Sequence, residues 1–299
     1  MPAVKVLATT WEQQFTLVQG KLIAQKPGPY DGWTQIATPH DPEARFSRKR
    51  GQSWVGYKLQ ATETDDEGQP HLITDIAITS SVETDYQALE AIQSRLEARG
   101  LLPGEQLADR GYVTEDNLVT SDKRSIDLIG PVQKDTHLQA RIPGGITLEQ
   151  FQVDFERLTA VCPAGRQATI GTSKGKRLIF RFPKAGCAAC PLRAQCCTGK
   201  GGRHISLGWH HRRLQAARVR QETEAFKALY RQHRGGIEGC LSALVHGHGM
   251  RVGRYTGTAK IHLQALFTGV AVNLRRAARW LAGHRPQAKR RGLRLSSIT

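Results

Sequence analysis

The chain has 299 residues, 39% of them hydrophobic, and a formal net charge of +17 at pH 7. That supports a packed core in one large domain or two smaller ones, and it excludes a low-hydrophobicity disordered chain. The charge is polarised: Met1–Gly199 carries 23 Lys and Arg against 23 Asp and Glu, whereas Lys200–Thr299 carries 20 against 3.

Residues 1–50 form a loop-rich N-terminal segment, with "KPGPYDGW" and "ATPHDPEARFSRKRG" reading as loop and turn. Residues 51–150 form an α/β core. "SWVGYKLQATET" and "HLITDIAITS" are strands joined by the turn "DDEGQP". "TDYQALEAIQSRLEARG" is a helix, with Thr84 as N-cap, Leu89, Ile92 and Leu96 at helical spacing, and Gly100 closing it. A short strand then ends at Asp109 in "LADRGY" and is expected to pack against the hairpin, and "SIDLIGPV" is a further strand. Residues 151–206 form a Cys-rich insertion with strands in "FQVDFERLTAVCPAG" and "RLIFRFP". Residues 207–284 read as helical, with one helix opened by Gly235-Gly236, and 285–299 as a basic tail.

The basic final third points to a nucleic-acid partner ahead of a solvated face or an anionic membrane. Arg231, Arg234, Arg251, Arg254 and Lys260 are the candidate phosphate contacts around Glu238. The opening "MPAVKVLATTWEQQF" has no long apolar stretch, and His262, Gln264, Asn273, Arg275, Arg276 and Arg279 interrupt Ile261–Leu281. Neither a signal peptide nor a membrane span is expected, and the protein is expected to be cytoplasmic.

Five of the six cysteines fall between Cys162 and Cys197. Without a secretory signal, such clustering suggests metal rather than disulfides. Cys187-x2-Cys190 supplies two thiolates at zinc-knuckle spacing, and Cys162 with Cys196 or Cys197 completes a tetrahedral set. Free buried thiols are the other reading. Four thiolates leave no open position, so a Zn²⁺ here is structural.

Two carboxylates stand out. Asp109 closes a strand, where open α/β sheets place functional groups, or it is a strand-end aspartate bonded to its own turn. Glu238 is the only acidic residue after Glu224. It either complements the dipole of a helix starting at Gly235-Gly236, or pairs with Arg231 or Arg234, or serves chemistry.

"LADRGY", the cysteine-bearing insertion and "YRQHRGGIEGCLS…HGMRVGRYTGTAKIHLQA…VNLRRAARWL", taken in order, resemble the C-terminal part of DDE transposases of bacterial insertion sequences. The resemblance runs from "ATPHDPEARFSRKRG" to "ARWL". It implies a ribonuclease-H-like mixed sheet with helices, DNA as substrate and a homo-oligomer when active. It also implies Asp109 and Glu238 as the second and third members of an Asp–Asp–Glu set holding Mg²⁺ or Mn²⁺. Here "YRQHRGGIEG" has His233-Arg234 where the family usually has Arg-Ala. The first Asp of the set has no convincing strand: Asp31 is in a loop, Asp41 lies in a segment that follows that Asp in the family, and Asp75 is inside a later strand. A chain beginning downstream of the first core strand is the expectation, and alone it would be inactive. The alternatives are a non-catalytic DNA-binding remnant with a structural zinc site, and a metal-dependent nuclease on the same carboxylates.

Overall fold

A computed structural model describes residues 2–25, 35–49, 51–135, 137–175, 177–197 and 199–284. Asp31 and the basic tail at 285–299 lie outside the described residues. The chain is mixed α/β and divides into two compact units, one made of 1–102 with 231–299 and the other of 103–230. No helix among the described residues is long and apolar enough to cross a membrane.

The first unit opens with helix α1 (Pro2–Gln14) and a hairpin of β1 (Phe15–Val18) and β2 (Lys21–Ala24). An antiparallel meander follows: β3 (Arg45–Lys49), β4 (Gln52–Glu63) and β5 (Ile73–Ser80), in that spatial order. Helix α2 (Asp85–Ala98) then buries Ala88, Leu89, Ile92 and Leu96. Its start is fixed by Thr84, whose N–H donates to Gln87 Oε1 at 2.8 Å, half of a capping box. Its end is fixed by Gly100, whose φ of 65° is open to glycine at little cost. Asp75 on β5 is 4% exposed and accepts from Arg95 Nε and Nη2 at 3.0 and 2.7 Å and from Arg99 Nη2, so α2 is tied to the sheet by charge as well as packing.

The second unit begins with β6 (Glu105–Leu107), α3 (Glu115–Lys123) and β7 (Asp127–Ile129), a parallel pair with a helical crossover. The strand ending near Asp109 thus finds its ladder partner in β7, rather than joining the hairpin's ladder as the sequence suggests. After the short α4 (Leu138–Arg141) comes a five-stranded antiparallel sheet: β8 (Gln152–Asp154), β9 (Thr159–Val161), β10 (Gln167–Lys174), β11 (Arg177–Arg181) and β12 (His204–Gly208). Two short helices, α5 (Lys184–Ala188) and α6 (Arg193–Cys196), interrupt it between β11 and β12. Its core is Leu178, Phe180, Ile205 and Leu207, each at most 2% exposed. Helix α7 (His211–Glu222) docks on β7 through Arg220, bidentate to Asp127 at 2.7 and 2.8 Å.

Helix α8 (Glu224–Ser242) starts in the second unit, and from Arg231 its residues belong to the first. It runs uninterrupted through Gly235-Gly236, so the helix does not open there. The break falls earlier, at Thr223, whose hydroxyl accepts from Phe226 N at 3.2 Å and caps α8. Two interior glycines cost about 1 kcal/mol each relative to alanine, and burial of Phe226, Cys240 and Leu244 outweighs them. A π turn (Ala243–Gly247) and a loop lead to α9 (Thr258–Leu281). Ala265, Gly269 and Val272 are buried on α9, and with Ile76, Cys240 and Leu244 the alanine and valine form the first unit's core. Asn273 reads one strand residue as another strand would: it accepts from Ile73 N at 2.8 Å and donates to Ile73 O at 2.9 Å.

Candidate active site

Asp109 lies two residues past β6. The ladder continues to Ala108, whose N–H donates to Ile129 O at 2.8 Å. Just after β7, a Cβ on Gly130 would sit 2.3 Å from Ala108 O and 2.8 Å from Val113 Cγ2, so only glycine allows this approach. The chain then turns at once, with Tyr112 N donating to Asp109 O at 3.0 Å. Asp109 is left exposed at the strand end. Its Oδ1 accepts from the Tyr230 hydroxyl at 3.2 Å. Tyr230, on the first part of α8, stacks on Phe226 with centroids 5.7 Å apart and planes 7° apart, which holds its phenol in place. Sequence reasoning missed this contact because 121 positions separate the partners.

Glu238 is exposed on α8, opposite the buried Cys240 and Leu244 stripe. It sits in the last third of the helix, so the N-terminal dipole does not account for it. The expected ion pair forms with Arg234: Nε donates to Glu238 Oε1 at 2.9 Å. Arg231, Arg251, Arg254 and Lys260 are exposed in the same unit, Arg231 on the same face of α8 by its spacing and Lys260 in the first turn of α9. Asp109 and Glu238 fall in different units.

What sets the pose of α8 and α9 on the sheet is a second group of charges that the sequence did not single out. Asp65, just past β4, bonds His233 Nδ1 through one oxygen at 2.5 Å and His71 Nδ1 through the other at 3.2 Å. Glu63, at the end of β4, accepts from Arg276 Nη1 at 2.7 Å. Gly236 passes close over both, with a Cβ there 3.5 Å from Glu63 Oε1. Burial, and then Glu63 nearby, push the Cys240 thiol up to about 12. The acid-rich turn "TETDDEG" was the available signal.

Two of the candidates for the first member of the set, Asp75 and Asp41, are engaged elsewhere. Asp75 holds Arg95 and Arg99. Asp41 is buried, accepting from Tyr57 Oη at 2.8 Å and Gly257 N at 3.0 Å. Burial and this bond to Asp41 raise the Tyr57 hydroxyl well above its ordinary value, so it stays a donor. Cys162, Cys187, Cys190, Cys196 and Cys197 all line one cavity of about 20 Å³ in the second unit. Among the described residues, no group of three or more His, Cys, Asp or Glu is arranged to hold a metal ion.

Residues 161–278 match the family model of the transposase DDE domain. The matched span contains Glu238 and the cysteines, and Asp109 lies upstream of it. No curated protein and no solved structure matches the chain.

Proposed function

We propose that this chain, whose residues 161–278 carry the transposase DDE signature, acts on DNA as a transposase with Asp109 and Glu238 as its cation-binding carboxylates. The observation that carries the reading is Glu238: an exposed carboxylate inside the matched span, in a unit whose basic residues Arg231, Arg234, Arg251, Arg254 and Lys260 are likewise exposed. The element order supports a ribonuclease-H-like core, with an antiparallel meander, a helix, a parallel βαβ unit and a helix bearing the last acid.

Exposed carboxylate oxygens are the donor type that Mg²⁺ or Mn²⁺ takes, with water and phosphate completing the shell. Two such ions supply activation of an attacking oxygen and stabilisation of a leaving one. The chain's own residues do the rest. Tyr230 orients Asp109. Glu238 exchanges its bond to Arg234 for the cation. The exposed pair is worth only about 0.3–0.5 kcal/mol, so the exchange is cheap. Arg251, Arg254 and Lys260 hold further phosphates without reading sequence.

The second copy that the resemblance implies would pair along α9. Leu263, Phe267, Val270, Leu274, Ala277 and Leu281 follow a strict 4-3-4-3-4 spacing along α9, and all but Ala277 are 52–78% exposed. That is the spacing of a coiled-coil seam, so its occupant is a helix. The flanking Gln264, Leu266, Ala271, Asn273, Ala278 and Trp280 carry no charge, so α9 can pair with its own copy despite the basic chain.

A non-catalytic DNA-binding role is the second reading, favoured by the engagement of Asp41 and Asp75 elsewhere. Both readings require DNA binding. Measuring duplex affinity against salt for the wild type and for Arg251→Gln/Arg254→Gln/Lys260→Gln tests it. Loss of three phosphate contacts lowers the log–log slope by about 2.7. An unchanged slope, or no binding by the wild type, would refute both.

A further inference from the structure

We propose that the cavity bounded by Cys162, Cys187, Cys190 and Cys196 takes one Zn²⁺ as a structural ion, with Arg193 and Arg203 as its built-in counter-charge. The proposal stands whether or not the chain cuts DNA.

The four thiols come from three separate pieces of chain. Cys162 follows β9 in a tight turn, with Gly165 N donating to Cys162 O at 2.8 Å and Cys162 N to Arg166 O at 2.9 Å. Cys187 is on α5 and Cys190 just after it, where Cys190 N donates to Cys187 O at 3.3 Å. Cys196 ends α6. Cys162, Cys187 and Cys196 pack against the core of the five-stranded sheet, and Cys190 lines the same cavity. About 20 Å³ is room for one water-sized body and no more. Cys187 Sγ already accepts a backbone N–H, from Arg203 at 3.4 Å, as a thiolate ligand does. The fifth thiol also lines the cavity, but its Sγ is engaged, with Cys197 donating to Gly201 O at 3.5 Å.

The second observation is charge. Arg203 is 9% exposed and lines the cavity, and its Nε has no hydrogen-bond partner. Arg193 lines it too, with Nη1 buried and without a partner. Two guanidinium groups with unpartnered buried nitrogens beside an apolar, thiol-lined pocket are an expensive arrangement. Four thiolates around one Zn²⁺ carry a net charge of −2, which two arginines balance. Binding releases four thiol protons, and side-chain rotation brings the sulfurs to about 2.3 Å from the ion. Among the described residues no three of them already converge on a metal, so the proposal requires these side chains to turn on binding.

The test is zinc content of the purified full chain by mass spectrometry, followed by Co²⁺ titration of the chelated chain under reductant. The expected result is one zinc per chain and the visible spectrum of tetrahedral thiolate Co²⁺. Cys187→Ser and Cys162→Ser should lose both, while Cys197→Ser and Cys240→Ser keep both. Arg203→Gln should keep the stoichiometry and weaken Co²⁺ affinity at least tenfold. A wild type without zinc or a tetrahedral Co²⁺ spectrum overturns the proposal. So does a loss in Cys197→Ser equal to that in Cys187→Ser, or a 2 Da mass deficit per cysteine pair (~2 Da per disulfide) that marks these thiols as oxidised partners.

Discussion

Glu238→Gln should separate stability from function. The carboxylate is exposed and forms an i,i+4 pair with Arg234. Such pairs contribute about 0.3–0.5 kcal/mol. For a unit of this size that is a Tm shift of about 1–2 °C. DNA binding should improve, because the variant removes a negative charge from the basic surface, a gain equivalent to about one phosphate contact. One added contact steepens the salt slope by about 0.9, which is up to about eightfold in affinity at ~0.1 M salt. Calorimetry and salt-dependent fluorescence anisotropy on a labelled duplex read the two quantities. A Tm drop beyond about 4 °C would make Glu238 a structural residue, and weaker DNA binding would place it outside the DNA-facing surface.

Asp75→Asn should behave oppositely, destabilising by about 2 kcal/mol in denaturant melts with DNA affinity unchanged, because it leaves Arg95 and Arg99 without their carboxylate. Glu43 caps α9 through Thr258 N at 2.8 Å, and its bonds to Thr258 hold its carboxyl below the usual range. A depressed folded-state pKa gives stability that is present above the ordinary Glu value and lost as pH falls through the folded one. Glu43→Gln should therefore melt lower than wild type at neutral pH, by about 0.5–1 kcal/mol, and the gap should close on acidification below about pH 4. Leu274→Glu should convert a dimer to a monomer in light scattering after size exclusion, with the Tm of the subunit retained.

Local signals carried much of the fold. The cap at Thr84, the apolar spacing of Leu89, Ile92 and Leu96, and Gly100 place α2 within a residue or two. The alternation in "SWVGYKLQATET" and the β-branched "ITDIAITS" place β4 and β5. Asp109 is legible because its strand and glycine turn are adjacent in sequence. Gly235-Gly236 reads in the sequence as a helix start, whereas α8 begins at Glu224 and burial of Cys240 and Leu244 carries the helix through the two glycines. The discontinuous first unit was not legible, since Asn273 meets Ile73 and His233 meets Asp65 across 200 and 168 positions. The same distance hid the Tyr230–Asp109 bond.

The central claim is that Asp109 and Glu238 bind a divalent cation on DNA. Electron paramagnetic resonance of Mn²⁺ added to the chain–duplex complex tests it without requiring turnover. Bound Mn²⁺ in the wild-type complex, weakened at least tenfold in both Asp109→Asn and Glu238→Gln at equal DNA occupancy, is the predicted result. A wild-type complex that binds no Mn²⁺ beyond free DNA, or variants that bind it as well as wild type, would contradict the account.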